Sequence, residues 1–409
     1  MFCKDLWMII LSKLPVKSLL RFSCVSKYFQ SLICDSSFVK LHLQNSPKGT
    51  NFLLSYSNHD SFYVFPSHIN SCFEDPLPFF FDDDDMSESQ KNKYQVIGSC
   101  NGLVCLRKLD GKWDANGSNM FHLWNPATRK LFENLHCKLN LLPLNQKVVM
   151  LGFGYDNSRD IYKLVVIVSH SNSEEYPFRS LICNMEDKSG WRDIQTFPAD
   201  PTTTIGHGIY LENTLNWVGL LHSEHVDLRF NDMIIVSLNL KTETYTQLLL
   251  PGDLSEVKIY DLLFSDQEID RSEAPLIGIL GGCLSLFLHN GRTNHLSIWQ
   301  MKEFGNQNSW SPLLITSLRD LGIDGTIYAA LLPLCMIEND RDIIIIYDIY
   351  HHGVQRVIYN QTDKTVKSTL ICEDIWWIYH FDYVESLVSP VNVESLVSPE
   401  RLELIEELS

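Results

Sequence analysis

The side chains best suited to chemistry in this chain are two pairs of histidines. His222 and His225 flank Glu224 in LLHSEHVDLRFND, and His351-His352 stand together before Gly353. A metal centre needs further donors at ligand spacing, and neither pair has them nearby, so both read as parts of solvated turns. Cys100 and Cys105 are the nearest pair among 11 cysteines, with no C-x-x-C spacing anywhere. Gly152-Phe153-Gly154 lacks the third glycine of a dinucleotide loop, and neither a phosphate loop nor a G-x-S-x-G elbow occurs. No catalytic residue, metal or cofactor is expected. No cysteine is assigned a transfer role, since that requires an activated thiolate. The chemistry on offer is binding, and the question becomes which elements carry it.

The chain has 409 residues, 45% of them hydrophobic, enough for a small module and one large domain. An odd cysteine count without paired spacing points to reduced thiols, and hence to a cytoplasmic or nuclear protein. The apolar run Leu6 to Leu11 is too short for a secretory signal. Leu276 to Leu288 is too short and too rich in glycine for a membrane span. Charge is divided unevenly: residues 1–50 carry a net +5 and the remainder a net −22. An acidic body argues against nucleic acid as a ligand, because phosphate binding needs a basic surface. It favours a basic protein partner, or serves only solubility.

Residues 5–43 are more apolar than a unit of that size can bury. Leu6, Ile9 and Ile10 share one helical face before Pro15; Leu19, Leu20 and Phe22 follow; Phe29, Leu32 and Ile33 form a third stripe between Ser26 and Cys34. Three helices are expected. About 40 residues do not make an adequate core alone. The surplus either caps the rest of the chain or docks on another protein.

From Thr50 the pattern changes to short strands separated by turn residues. An acidic stretch around Asp82 to Asp85 reads as an exposed loop, with Phe79-Phe80-Phe81 anchoring it. One strand-turn-strand element then recurs about 60 residues apart, at His122–Phe132, Leu181–Ile194, Val236–Leu248, Leu296–Leu313 and Val357–Leu370. A more buried strand pair precedes each copy, beginning near Gly98, Gly152, Gly208, Pro275 and Ala330. Two hairpins per period make a four-stranded sheet, and such sheets repeated radially make a β-propeller. Thr50–Phe65 is expected to pair with strands near Trp376–Val388 as a sixth sheet that closes the ring and removes its free edges. The fold expected is mainly β: a small helical module at 1–45, a kelch-like propeller of about six degenerate blades at 50–390, and an acidic tail at 391–409. A β-sandwich with the same strands is the competing architecture. Loops 67–93, 221–232, 251–273 and 317–327 are candidate substrate contacts.

Two sets of motifs carry a family resemblance. LPVKSLLRFSCVSK at Leu14–Lys27, with Phe29 and Leu32-Ile33 following, resembles the F-box of plant F-box proteins. SCNGLVCL, WNPATRKL, LGFGYDNSRDIYKLV and WRDI resemble, in the same order, the F-box-associated domain. YVESLVSP at Tyr383–Pro390 is similar to the terminal strand of S-locus F-box proteins of the rose family, and VESLVSP recurs at Val393–Pro399. The resemblance implies a non-catalytic substrate receptor of a Skp-cullin-F-box (SCF) ubiquitin ligase, with cullin and RING subunits reached through a Skp-type adaptor. It implies adaptor contacts at Leu6, Ile9, Leu14, Pro15, Leu19 and Leu20, with Cys24, Val25, Phe29 and Leu32 internal. The rose-family likeness implies a pollen S determinant whose substrates are the basic S-ribonucleases; the alternatives are a paralogous F-box receptor for another substrate and a ligand-binding propeller, capped by the helices, that is not part of a ligase. The pattern departs from the family twice: Phe2-Cys3-Lys4 stands where Leu-Pro usually precedes the acidic position, and Phe29 replaces a Trp. The first departure implies a shortened product whose adaptor contact is weakened at one edge.

Overall fold

The structure, a computed structural model, describes residues 4–47, 51–57, 62–68, 94–108, 119–132, 138–139, 146–170, 178–185, 190–200, 207–221, 230–254, 276–290, 293–323, 328–337, 342–349, 353–372 and 377–390. It opens with four helices, not the three expected: α1 (Lys4–Leu11), α2 (Val16–Ser23), α3 (Lys27–Ile33) and α4 (Ser36–Asn45). Pro15 stands at the N-cap of α2, where its missing N–H costs nothing. Ser26 caps α3 through the Phe29 N–H. Asp35 starts the additional helix by accepting from the Ser37 N–H at 2.9 Å. Hydrogen bonds from Ser37, with Lys4 3.8 Å away, hold the Asp35 carboxyl below the usual carboxylate range. Phe38 and His42, one turn apart on α4, are both buried, and His42 Nε2 lies 2.9 Å from the Leu14 carbonyl.

Among the described residues the strands form five hydrogen-bonded sheets, one of eight strands, and dividing that one at its parallel seam gives six consecutive sheets. The first pairs Asn51–Ser57 with Phe62–His68 on one side and with Trp377–Tyr383 on the other, so the two ends of the domain share a sheet. The second contains Tyr94–Cys100, Leu103–Lys108, Asn119–Asn125 and Lys130–Phe132, with the short Lys138–Leu139 beside it. The third contains Gln146–Asp156, Ile161–His170, Phe178–Asn184 and Trp191–Asp193; the fourth, His207–Leu211, Thr214–Leu220, Met233–Asn239 and Thr244–Leu249. The fifth runs Leu276–Leu280, Cys283–Asn290, His295–Met301 and Trp310–Ser317; the sixth, Tyr328–Ile337, Asp342–Ile349, Gly353–Asn360 and Val366–Cys372. Each repeated element of the sequence supplies the third and fourth strands of its sheet, and the buried pair before it supplies the first and second.

Buried apolar clusters lie between successive sheets, which gives the propeller order and excludes the sandwich. Leu53, Phe381 and Tyr383 of the first sheet meet Val96, Val104 and Trp124 of the second. Ile97, Cys105 and Leu123 meet Phe153, Leu164 and Val166 of the third. The third meets the fourth around Trp217, the fourth the fifth around Phe230 and Leu286, and the fifth the sixth around Ile298 and Ile345. The hairpins at Asn101-Gly102, Glu212-Asn213 and Gly281-Gly282 have positive φ at both turn residues, the geometry that matches strand twist. Third and fourth sheets join through a parallel pairing of Leu151 with His207 and Gly152 with Gly208. Trp217 fills that junction and donates to the Leu151 carbonyl at 3.1 Å; a Cβ on Gly152 or Gly208 would come within 2.5 Å of its ring. The outer edge of the fourth sheet is blunted by its neighbours' amides. Tyr245 N–H donates to Gln195 Oε1 at 3.1 Å and Leu249 N–H to Gln307 Oε1 at 2.9 Å.

A buried ion network also crosses from the third sheet to the fourth. Lys163 Nζ, with no exposed side-chain surface, lies 2.9 Å from both Asp156 Oδ2 and Glu243 Oε1 and donates to the Leu240 carbonyl. Arg192 completes it on Glu243. Burial alone would raise both carboxyls. The hydrogen bonds from Ser158 and Lys163 to Asp156, and from Arg192 and Lys163 to Glu243, outweigh it and hold both below the usual range. Depressed carboxyl pKa values give stability that is complete above the ordinary carboxylate range and is lost as pH falls through the depressed values. Replacing Lys163 by Met leaves Asp156 buried without its cation, at an expected cost of about 3–5 kcal/mol in denaturant unfolding at pH 7. The gap to wild type is expected to narrow as pH falls below the carboxylate range; a gap constant with pH would assign the loss to packing.

Candidate functional site

The helical module buries one face and leaves another apolar face outside. Leu11, Leu19, Leu32, Ile33 and Phe38 form its core, with Trp7, Met8, Leu14 and Phe29 packed at the margin. On α1 the stripe Leu6, Ile9 and Ile10 points away from that core, and Ile9 is 54% exposed. On α2, Val16 and Leu19 turn inward while Leu20 and Phe22 turn outward. Val25 is 69% exposed and Tyr28 is also open. Isolated exposed aliphatics need no explanation, but this many on about 25 residues is a concentration of exposed apolar side chains, as a contact surface would require. Exposed Lys13, Lys17, Arg21 and Lys27 rim it.

These positions sort the expected adaptor contacts. Leu6, Ile9, Pro15 and Leu20 are on the surface, and Leu14 is half-buried. Leu19 is 0% exposed, so it holds the helices together. The Leu19-Leu20 doublet looks uniform in sequence, yet consecutive helical residues lie about 100° apart, so one faces in and the other out. Cys24 and Val25, expected inside, are exposed because α2 has ended at Ser23 and its last carbonyls are met by the Cys24 and Val25 N–H groups. Leu32 is buried as expected. Phe29 stands at the hub of three edge-to-face contacts, with Trp7 at 5.2 Å, Tyr28 at 5.6 Å and Phe22 at 5.9 Å. Ile10, Phe22 and Tyr28 also belong to the exposed set; their apolar character is visible in sequence, but their outward orientation is set by the four-helix packing.

The helices sit at one end of the ring. Lys40 on α4 pairs with Asp160, in the turn between the first two strands of the third sheet, and Tyr155 donates to the same carboxyl. Ser46 Oγ lies 3.4 Å from the Glu385 carbonyl, beyond the closing strand. The candidate loops relate to the opposite end. Segment 221–232 follows the second strand of the fourth sheet, and 251–273 and 317–327 lead into the first strands of the fifth and sixth. Segment 67–93 instead starts beside Asn51, on the helical side, and leads to Tyr94 at the other end. Of these loops, 69–93, 222–229, 255–273 and 324–327 lie outside the described residues, as do Phe79-Phe80-Phe81, His222, His225 and His351-His352. Among the described residues, no group of three or more His, Cys, Asp and Glu side chains could hold a metal ion. Burial pushes the Cys100 and Cys105 thiols well up, away from thiolate chemistry. No helix among the described residues is long and apolar enough to cross a membrane.

Two family models match this arrangement: an F-box domain over residues 2–41 and an F-box associated beta propeller domain over residues 55–390. An F-box/kelch-repeat protein of Arabidopsis thaliana is 30% identical over 314 residues, covering 75% of this chain and 76% of the relative. The F-box protein CPR1 of the same plant is 24% identical over 322 residues, covering 74% and 70%. Among solved structures, the SapL1 lectin in complex with alpha methyl fucoside aligns at 9% identity with a TM-score of 0.40, over 81% of this chain and 98% of the lectin. The helical module with its open apolar face and the six-sheet ring carry the two family domains in order, and the chain belongs to the plant F-box proteins with an F-box-associated β-propeller domain.

Proposed function

We propose that the chain is the substrate-recognition subunit of an SCF-type ubiquitin ligase. The observation that carries the reading is the exposed set Leu6, Ile9, Ile10 and Leu20 on an F-box whose core is buried elsewhere, among its helices and Leu387. Fully burying a large aliphatic side chain is worth roughly 1.5–3 kcal/mol, so a Skp-type adaptor that covers this set gains enough to offset the cost of association. Leu6, Ile9, Leu14, Pro15 and Leu20 touch the adaptor in this reading, and Leu19 keeps their helices in place. Cullin and RING subunits follow through the adaptor, and ubiquitin transfer is their work. This chain contributes affinity and geometry, in the cytoplasm or the nucleus.

The substrate is held at the end of the ring remote from the helices, where 221–232, 251–273 and 317–327 join their strands. A net −22 beyond residue 50 suits a basic protein. The likeness of YVESLVSP to S-locus F-box proteins favours the basic S-ribonucleases of pistil self-incompatibility as that substrate, with this chain as the pollen determinant.

The adaptor contact is tested by equilibrium binding of a Skp-type adaptor to the whole chain. An Ile9→Arg, Leu20→Arg double variant should lose at least tenfold in affinity with its thermal unfolding unchanged; failure of the wild type to bind would overturn the ligase reading. For the substrate, association rates with basic ribonucleases should fall steeply as salt is raised, because exposed charges beyond a Debye length of about 8 Å at physiological salt are screened. Rates indifferent to salt would remove the electrostatic argument.

A further inference from the structure

The segment that follows the closing strand, residues 384–390, is shared between ring and helices. On the ring side, Asn125 Nδ2 donates to the Ser386 carbonyl at 3.0 Å and to the Val388 carbonyl at 2.9 Å. Ser386 Oγ, fully buried, donates to the Asn101 carbonyl at 2.7 Å. Gly102, with φ of +82°, makes room for it: a Cβ there would lie 2.2 Å from Ser386 Oγ. Val388 packs against the cluster between the second and third sheets. Between these anchors Leu387 packs against the Leu11, Leu19, Leu32, Ile33 and Phe38 core of the F-box. Ser386 and Val388 thus serve the ring while Leu387, between them, serves the helices.

A unit of about 40 residues does not assemble an adequate core by itself. Here a further piece arrives from more than 300 positions away, on the segment directly after Trp377–Tyr383, the strand that pairs with Asn51–Ser57. We infer that Leu387, seated by Ser386 and Asn125, is a positioning residue for adaptor docking, so the F-box is ordered and displayed only by a chain whose ring has closed. A chain with an open ring would then be excluded from the ligase. The inference rests on the adaptor reading above.

The test uses the full chain carrying Leu396→Asp throughout, so that the second VESLVSP copy cannot substitute for the first. Adding Leu387→Asp should speed tryptic cleavage at Lys13, Lys17, Arg21 and Lys27 at least tenfold and weaken adaptor binding at least tenfold, with the thermal transition of the ring unchanged. Leu387→Met in the same background should restore both within about twofold. Unchanged cleavage and affinity in the Asp variant would overturn the inference. So would loss of the ring's own transition, which would assign Leu387 to ring closure alone. The cleavage readout needs no adaptor, so it fails or succeeds independently of the ligase reading.

Discussion

The pairing of Asn51–Ser57 with Trp377–Tyr383 is the constraint on which the rest of the structure depends. It joins the first and last strands of the β domain in one sheet, residue against residue from Asn51 opposite Tyr383 to Ser57 opposite Trp377. Without it the second sheet would expose Val96, Val104 and Trp124, which now pack on Leu53, Phe381 and Tyr383. The pairing also delivers residues 384–390 to the turn at Asn101-Gly102 and thereby to the F-box. One long-range β-contact thus stands directly before the segment that touches both the ring and the helices. Such a contact carries a loop-closure cost that the hairpins within each sheet do not.

The arrangement separates two binding tasks that charge and polarity already distinguish. The basic, apolar-faced module lies at the end of the ring marked by tight turns, while the segments proposed for substrate join their strands at the other end. The junction between the third and fourth sheets is built for rigidity. Trp217 occupies space that only Gly152 and Gly208 leave open, and Lys163 binds two carboxylates of adjacent sheets out of water. A rigid ring is what a receptor needs if a substrate at one end is to be held at a fixed distance from machinery docked at the other.

Much of this was legible in the sequence because it follows from local periodicity. Strand alternation and turn residues revealed the recurring hairpins, and their period gave four strands to a sheet. The unmatched stretches at the two ends then predicted ring closure. The fourth helix was missed because Phe38 and His42 are its only buried side chains, too sparse to form a stripe, although the Asp35-Ser36-Ser37 capping signal was present. The orientation of Leu19 against Leu20, and the exposure of Cys24 and Val25, depend on where α2 ends and how four helices pack. Neither is encoded in apolar spacing. Leu387 gave no sign of its role either: a leucine in a short apolar stretch looks like any other core residue, and only tertiary placement, beyond the last strand, shows that it packs on the core begun at Leu11.

Backbone hydrogen exchange on the whole chain tests the central claim most directly, because it reads each strand of the closing sheet separately. The account predicts that Asn51–Ser57 and Trp377–Tyr383 are protected together, to within about tenfold of Tyr94–Cys100 and Leu103–Lys108 in the second sheet. Exchange of either closing strand orders of magnitude faster, while the second to fifth sheets stay protected, would mean that the ring stands without its closure and would contradict the account.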